Sequence, residues 1–143
     1  MMIVLDTNIV IRYLNAADPA FARVSRALQA AVQSREEPCI CAQSVFEFWV
    51  VATRPIEVNG LGLTPPEARA AVDRIREALT MLPDPQDLLV RWLELCTLYE
   101  VKGRAAHDAR IAAWMEAHGL RRLMTLNPGD FARYPEIECV VPT

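Results

Sequence analysis

The chain has 143 residues, of which 52% are apolar and 23% charged, and its formal net charge is −3. This length suits one domain, and the apolar content can supply a substantial buried core. The negative net charge argues against a protein that binds nucleic acid with its whole surface, because phosphate binding depends on clustered Lys and Arg. We therefore expect one domain, residues 1–143, in which any basic binding surface is local.

The amino terminus and the cysteines together indicate a cytoplasmic protein with no membrane segment. The first apolar run meets an acid at Asp6, so it is too short for a signal peptide or a membrane span. A Cys-x-Cys pair without a second such pair is a weak zinc signal, and scattered cysteines do not form a disulfide framework. We expect four free thiols, at Cys39, Cys41, Cys96 and Cys139.

The first half of the chain alternates short apolar runs with helical patterns. Residues 3–5 predict a strand, and helices are predicted at 7–14 and then, after the start signal Asp18-Pro19, to about residue 34. A strand at 39–41 and an apolar helix at 43–52 follow. Residues 53–63 carry Pro, Asn and two Gly, which is typical of a mobile loop.

The second half of the chain continues the same alternation. Thr64-Pro65-Pro66-Glu67 has the sequence of a capping box and opens a predicted helix that ends near residue 80. The remaining predicted elements are a brief strand at 81–82, helices at 88–99 and 106–118, strands at 122–125 and 137–141, and a helical turn at 130–132. Short strands between helices predict an α/β fold of three layers, α/β/α, around a parallel sheet of four to five strands.

Three acids stand where such a sheet binds its ligands, outside the carboxyl ends of the strands. Asp6 ends the first strand, although an acid before a helix is also a normal N-cap. Glu47 lies in an apolar helix, where a lone charge is costly unless it is paired or metal-bound. The alternative for Glu47 is a capping box with Ser44. Asp108 lies near a helix start, where the helix dipole also favours a negative charge.

These acids favour a site for Mg²⁺ or Mn²⁺, which prefer oxygen ligands and bind through a few carboxylates and substrate phosphate. Such ions polarise a phosphoryl group and activate water, so the pattern indicates phosphodiester hydrolysis. The chain contains neither of the glycine-rich phosphate loops, G-x-x-x-x-G-K-[ST] or G-x-G-x-x-G, that support nucleotide chemistry. A polar turn with Asn127 and Asp130 follows the fourth strand, although turn chemistry alone also explains it.

Two surface features bear on partners. The last third of the chain contains six basic residues: Lys102, Arg104, Arg110, Arg121, Arg122 and Arg133. Either they surround the acidic centre, or they are scattered, solvated side chains. The helix at 43–52 also carries the apolar run Phe48-Trp49-Val50-Val51. Either the core covers this helix on all sides, or part of it faces a second protein chain.

The motifs resemble those of the PIN domain, and most closely the VapC-type toxin ribonucleases. The resemblance runs nearly from end to end, and it rests on the order and spacing of four short motifs. They are Leu5-Asp6-Thr7-Asn8, the separate Glu47 in its apolar helix, His107-Asp108-Ala109-Arg110-Ile111-Ala112-Ala113, and Leu123-Met124-Thr125-Leu126-Asn127-Pro128-Gly129-Asp130-Phe131.

The resemblance implies an endoribonuclease that depends on Mg²⁺ or Mn²⁺, cleaves RNA such as tRNA or rRNA by metal-activated water, and is silenced by a small antitoxin protein. We also expect a homodimer. The alternatives are a catalytically weak PIN-like binding module, and a metal-dependent nuclease that acts on DNA or a small phosphatase.

The resemblance also implies roles for individual residues. Asp6, Glu47 and Asp108 would be metal ligands. The family's fourth acid lies in the turn after the fourth strand, where this chain has Asn127, with Asp130 three residues later. We expect Asp130 to complete the catalytic and metal-binding set; the alternative is that Asn127 coordinates the metal as a neutral ligand or holds a water. Hydrogen bonds that orient these ligands are expected from Thr7, Asn8, Thr125 and Asn127.

Overall fold

The first apolar run forms the central strand of a five-stranded sheet in which every pairing is parallel. The computed structural model describes residues 1–143. The strands, in the spatial order β3-β2-β1-β4-β5, are β1 (Met2–Leu5), β2 (Glu37–Ile40), β3 (Thr80–Met81), β4 (Arg122–Met124) and β5 (Glu138–Val140). The predicted parallel sheet is confirmed.

Six helices cover the two faces of this sheet. They are α1 (Thr7–Tyr13), α2 (Phe21–Gln33), α3 (Ala42–Thr53), α4 (Pro65–Ala78), α5 (Leu88–Leu98) and α6 (Ala105–Ala117). Short 3-10 helices occupy Ile56–Val58 and Pro128–Phe131. None of the six helices combines the length and the apolarity that a membrane crossing requires.

Two buried cores lie on opposite faces of the sheet, which confirms the three-layer prediction. Ile3 and Leu5 pack in the core that contains residues of α1 to α4, whereas Val4 packs in the core that contains residues of α5 and α6. This division follows the two-residue period of a strand, in which successive side chains point to opposite faces. All three side chains are essentially inaccessible to solvent.

Several predicted boundaries differ from those in the structure. Helix α2 begins at Phe21 and not at Pro19, and Asp18 instead accepts the backbone N–H of Ala20 (2.8 Å) and pairs with Arg12 (3.1 Å). Strand β2 begins two residues early, at Glu37, because pairing with β1 extends it. All four cysteines are free thiols, as predicted.

The alternative capping box for Glu47 is wrong. Cys41 is the N-cap of α3, and α3 begins at Ala42. Ser44 therefore lies inside the first turn, and Glu47 lies in the second turn, beyond the reach of a capping box.

The predicted loop after α3 is hydrogen-bonded to the last turn of that helix. The backbone N–H of Leu61 donates to the carbonyl of Val51 (2.9 Å), and that of Leu63 donates to Ala52 (2.8 Å). Gly60 permits this close approach, since a Cβ at that position would lie 1.8 Å from the carbonyl oxygen of Arg54.

The capping box predicted at the start of α4 is present. The Thr64 hydroxyl accepts the backbone N–H of Glu67 (3.3 Å), and the Glu67 carboxylate accepts the backbone N–H of Thr64 (3.0 Å). Thr64→Ala should therefore lower the free energy of unfolding by about 1 kcal/mol, as measured by urea denaturation.

Thr97→Ala is the matched control for this variant. The Thr97 hydroxyl donates to the carbonyl of Leu93 inside α5 (2.8 Å) and caps nothing. Its removal should change the free energy of unfolding by less than about 0.5 kcal/mol. Equal losses in the two variants would contradict a capping role for Thr64.

Candidate active site

A cleft of about 650 Å³ opens at the carboxyl ends of β1 and β4. The chain adds β2 and β3 on one side of β1 and then returns to add β4 and β5 on the other side. The order of strands therefore reverses beside β1, and such a switch point leaves a crevice in which α/β proteins bind ligands. The cleft is lined by all four predicted acids: Asp6, Glu47, Asp108 and Asp130.

Asp6 is held firmly at the floor of this cleft. Its Oδ1 accepts the backbone N–H of Thr7 (2.8 Å), and its Oδ2 accepts the hydroxyl of Thr125 (2.8 Å) and the amide of Asn8 (3.3 Å). Asp6 is thus both the N-cap of α1 and a cleft acid. Burial raises the pKa of Asp6, and the charges of Glu47 and Asp130 add to this increase. The hydrogen bonds from Thr125 and Thr7 lower the pKa, but they do not cancel the effect of burial.

A hydrogen-bond network around Asp6 joins α1 to the turn that follows β4. Asn8 Oδ1 accepts the backbone N–H of Leu126 (3.2 Å), and Thr125 Oγ1 accepts that of Asn127 (3.0 Å). Thr125 is fully buried. The structure thus places Thr125 and Asn8 against Asp6, where they fix the orientation of its carboxylate.

The side chain of Thr7, unlike those of Asn8 and Thr125, takes no part in this hydrogen-bond network. Its buried Oγ1 has no hydrogen-bond partner in the protein, although Thr7 lines the cleft. An unsatisfied buried oxygen beside several carboxylates is consistent with a site that is completed by a bound species.

Asp108, in the first turn of α6, is the acid whose charge is least compensated. Its pKa is raised to about 7, chiefly by burial and then by the charges of Asp6, Asp130 and Glu47, in that order. The charge of Arg104 opposes this shift, and the Asp108 carboxylate accepts no hydrogen bond. A half-buried carboxylate without a donor favours either a proton or a cation.

Glu47 projects into the cleft from α3 and is half-buried. Its Oε1 accepts a hydrogen bond from the amide of Gln43, one turn earlier on the same helix, at 2.8 Å. Sequence reasoning missed Gln43. The available signal was its spacing of four residues from Glu47, which places the two side chains on one helix face.

The turn after β4 brings both candidates for the fourth ligand position into the cleft. Asn127 and Asp130 both line it, one before and one within the 3-10 helix Pro128–Phe131. The charge of Asp130 raises the pKa of Asp6 and of Asp108, so Asp130 belongs to the same electrostatic cluster. Asn127 contributes its backbone N–H to Thr125.

The predicted basic rim is reduced to two residues. Arg104 and Arg133 line the cleft and form no ion pair. Lys102 is exposed outside it. Three other members are paired with carboxylates elsewhere: Arg110 with Asp84 (2.8 Å), Arg122 with Glu36 (2.6 Å), and Arg121 with Glu136. Of the two alternatives, a rim around the acidic centre therefore holds for Arg104 and Arg133 only, and the partners of the other three arginines could not be predicted because they are distant in the sequence.

Comparison with known proteins identifies the family. The PIN domain family profile matches residues 3–137, nearly the whole chain. The chain belongs to the PIN domain family. A search of the curated proteins found no match. The PIN fold agrees with the five-stranded parallel sheet and its flanking helices.

Solved structures of toxin-antitoxin proteins share this PIN fold. VapBC2 from Rickettsia felis, bound to a DNA fragment from its promoter, is 18% identical over 100% of both chains, with a TM-score of 0.73. A toxin-antitoxin complex from Klebsiella pneumoniae is 26% identical over 98% of this chain and 97% of that one, with a TM-score of 0.66. VapC20 from Mycobacterium tuberculosis is described as a sarcin-ricin loop cleaving toxin. It is 19% identical over 85% of this chain and 86% of that one, with a TM-score of 0.63.

The pKa of Asp108 predicts how the stability of this PIN domain depends on pH in the absence of metal. The folded state binds its proton up to about pH 7, whereas an unfolded Asp releases it near 3.8. Stability should therefore fall as pH rises between these values. Asp108→Asn mimics the neutral acid. In EDTA at pH 8 it should raise Tm by about 3 to 8 °C, which corresponds to about 1–2 kcal/mol after allowance for solvent screening.

The increase should shrink towards zero near pH 4, where the parent carboxyl is itself protonated. Asp73→Asn, in an exposed ion pair with Arg69 on α4, is the control and should show no such increase. Thermal melts at several pH values make the comparison. A difference between Asp108→Asn and the parent that does not change with pH would contradict the raised pKa.

Proposed function

We propose that this PIN domain protein is an endoribonuclease that depends on Mg²⁺ or Mn²⁺ and serves as the toxin of a toxin-antitoxin pair. The observation that carries the proposal is the convergence of four carboxylates on one cleft, with Asp108 lacking any hydrogen-bond donor. Like charges in one half-buried site are costly unless a cation balances them. Family membership and this cleft together support a nuclease.

The residues of the cleft fit a hard divalent cation. Its acids are Asp6, Glu47, Asp108 and Asp130, and no cysteine lines it. No group of three His, Cys, Asp or Glu side chains forms a preassembled metal cluster. Mg²⁺ does not require one, because it keeps several waters and uses one or two carboxylates together with substrate phosphate.

A bound divalent ion would polarise the scissile phosphoryl group and lower the pKa of water. The chain's own residues would orient the acids, since Thr125 and Asn8 fix the carboxylate of Asp6. Positive charge in the cleft would also keep Asp108 ionised at neutral pH, against the effect of its burial.

Arg104 and Arg133 support a polyanionic substrate. Both lie on the rim of the acidic cleft without a carboxylate partner, so their guanidinium groups are available to phosphates on either side of the scissile bond. We propose RNA over DNA, and tRNA or rRNA among RNAs. The VapC20 toxin, which shares the fold, supports that choice through its described action on the sarcin-ricin loop.

We propose a small antitoxin protein as partner, and a homodimer as the assembly. The R. felis and K. pneumoniae structures are toxin-antitoxin proteins with this fold. In this chain α3 exposes Phe46 (65%), Trp49 (37%) and Val50 (58%). The alternative in which the core covers α3 on all sides is therefore wrong, and an apolar surface of this kind supports binding of a protein chain.

Asp6→Asn tests the nuclease proposal. Loss of one ligand charge should lower the rate of Mg²⁺-dependent RNA cleavage by about 100-fold or more, because metal ions stabilise phosphoryl transition states by several kcal/mol. The assay compares a labelled RNA, the DNA of the same sequence, and a phosphate monoester, and only the RNA should be turned over.

Asp73→Asn serves as the activity control, and circular dichroism checks that Asp6→Asn remains folded. An Asp6→Asn protein that cuts RNA as fast as the parent would refute the proposed mechanism. Equal turnover of the DNA would refute the proposed substrate. Absence of Mn²⁺ binding by the parent would favour a non-catalytic binding module.

The two rim arginines give a separate test. Arg133→Gln and Arg104→Gln should each raise KM for RNA about tenfold with a smaller change in kcat, because each loses contact with phosphate in both the bound and the reacting state. Each should also reduce the slope of log affinity against log salt by about 1. Arg121→Gln, whose side chain is exposed and paired with Glu136, is the control. An unchanged salt slope in both rim variants would contradict phosphate binding.

A further inference from the structure

We infer that Gln43 is a positioning residue that sets the place of Glu47 in the cleft and ties it to the start of α6. The inference rests on the proposed function, since it concerns how that same site holds its metal. Gln43 has only 6% of its surface exposed, although it is polar and lies one turn from the cleft. A buried amide is costly unless all its hydrogen-bonding groups are satisfied.

The amide of Gln43 bridges two walls of the cleft. Its Nε2 donates to Glu47 Oε1 on α3 at 2.8 Å and to the backbone carbonyl of His107 on α6, also at 2.8 Å. His107 directly precedes Asp108. One side chain therefore fixes the carboxylate of one proposed ligand and the backbone next to another.

Arg110 determines which end of the amide faces the cleft. Its Nη1 donates to Gln43 Oε1 at 3.0 Å. A guanidinium can only donate, whereas a carboxylate and a carbonyl can only accept. The amide oxygen must therefore face Arg110, and its NH₂ must face Glu47 and His107. A rotated amide would place oxygen against oxygen on both sides.

Arg110 is in turn anchored outside the cleft. Its Nη2 donates to Asp84 Oδ2 at 2.8 Å, in the segment between β3 and α5. The chain of contacts thus runs from Asp84 through Arg110 and Gln43 to Glu47. Arg110 does not line the cleft, and Gln43 is its hydrogen-bonded link to Glu47. Residues that orient metal ligands in this way commonly change metal affinity by 10- to 100-fold.

Gln43→Met tests the inference, because methionine preserves the length of the side chain and removes its hydrogen bonds. Isothermal titration with Mn²⁺ and no RNA measures the affinity of the metal alone. We expect Gln43→Met to bind Mn²⁺ about tenfold more weakly than the parent. In a Glu47→Gln background the same change should cost twofold or less, since Gln43 acts through Glu47.

Trp92→Phe is the matched control for the second contact of Gln43. Trp92 Nε1 donates to the carbonyl of Ala106 at 2.8 Å, so it also tethers the first turn of α6, yet it forms no bond to Glu47. Its removal should leave Mn²⁺ affinity within about twofold of the parent. If Gln43→Met fails to fold, Gln43→Asn, which keeps the amide and is one methylene shorter, replaces it with the same expected loss.

Three results would overturn the positioning role: unchanged Mn²⁺ affinity in the folded Gln43 variant, an equal tenfold loss in the Glu47→Gln background, or an equal loss in Trp92→Phe. The parent titration separates the two proposals. A parent that binds no Mn²⁺ removes the proposed metal site and this inference with it. A parent that binds Mn²⁺, beside an unaffected Gln43 variant, removes only this inference.

Discussion

Mutual repulsion among carboxylates at the switch point of the sheet is the constraint on which the candidate site depends. The central position of β1 fixes Asp6, because its backbone N–H donates to the carbonyl of Met124 (3.0 Å) and its side chain is held by Thr125. Asp108 receives no such support and carries the larger electrostatic cost. The free energy gained by burial in the two cores must therefore offset the electrostatic cost of the carboxylates in this cleft.

Much of the fold and of the acidic cluster could be predicted from the sequence because both rest on local patterns. The apolar run before Asp6 defines a buried parallel strand, and parallel strands gather their carboxyl ends at one edge. The capping box at Thr64 is likewise a signal within four residues. Strand β2 shows the limit of local reasoning. Glu37 and Pro38 are poor strand formers, yet pairing with Met2 and Ile3 places both in the strand.

What escaped prediction depends on residues that are distant in the sequence. Arg122 pairs with Glu36 across 86 positions, and this partner removes it from the predicted basic rim. Gln43 contacts His107 across 64 positions, so its link to α6 is invisible until α3 and α6 are packed together. The start of α3 is the one local exception: its N-cap is Cys41, whose side chain forms no capping hydrogen bond, whereas Ser44 is a common capping residue.

The two edges of the sheet limit how this protein can assemble. Edge strand β3 has two residues and edge strand β5 has three, so each offers few free backbone groups to a strand from another chain. Short edges of this kind protect against sheet extension and the aggregation that follows from it. Growth of the sheet is thus a poor route to association, whereas the exposed apolar residues of α3 offer a helix surface that another chain could cover.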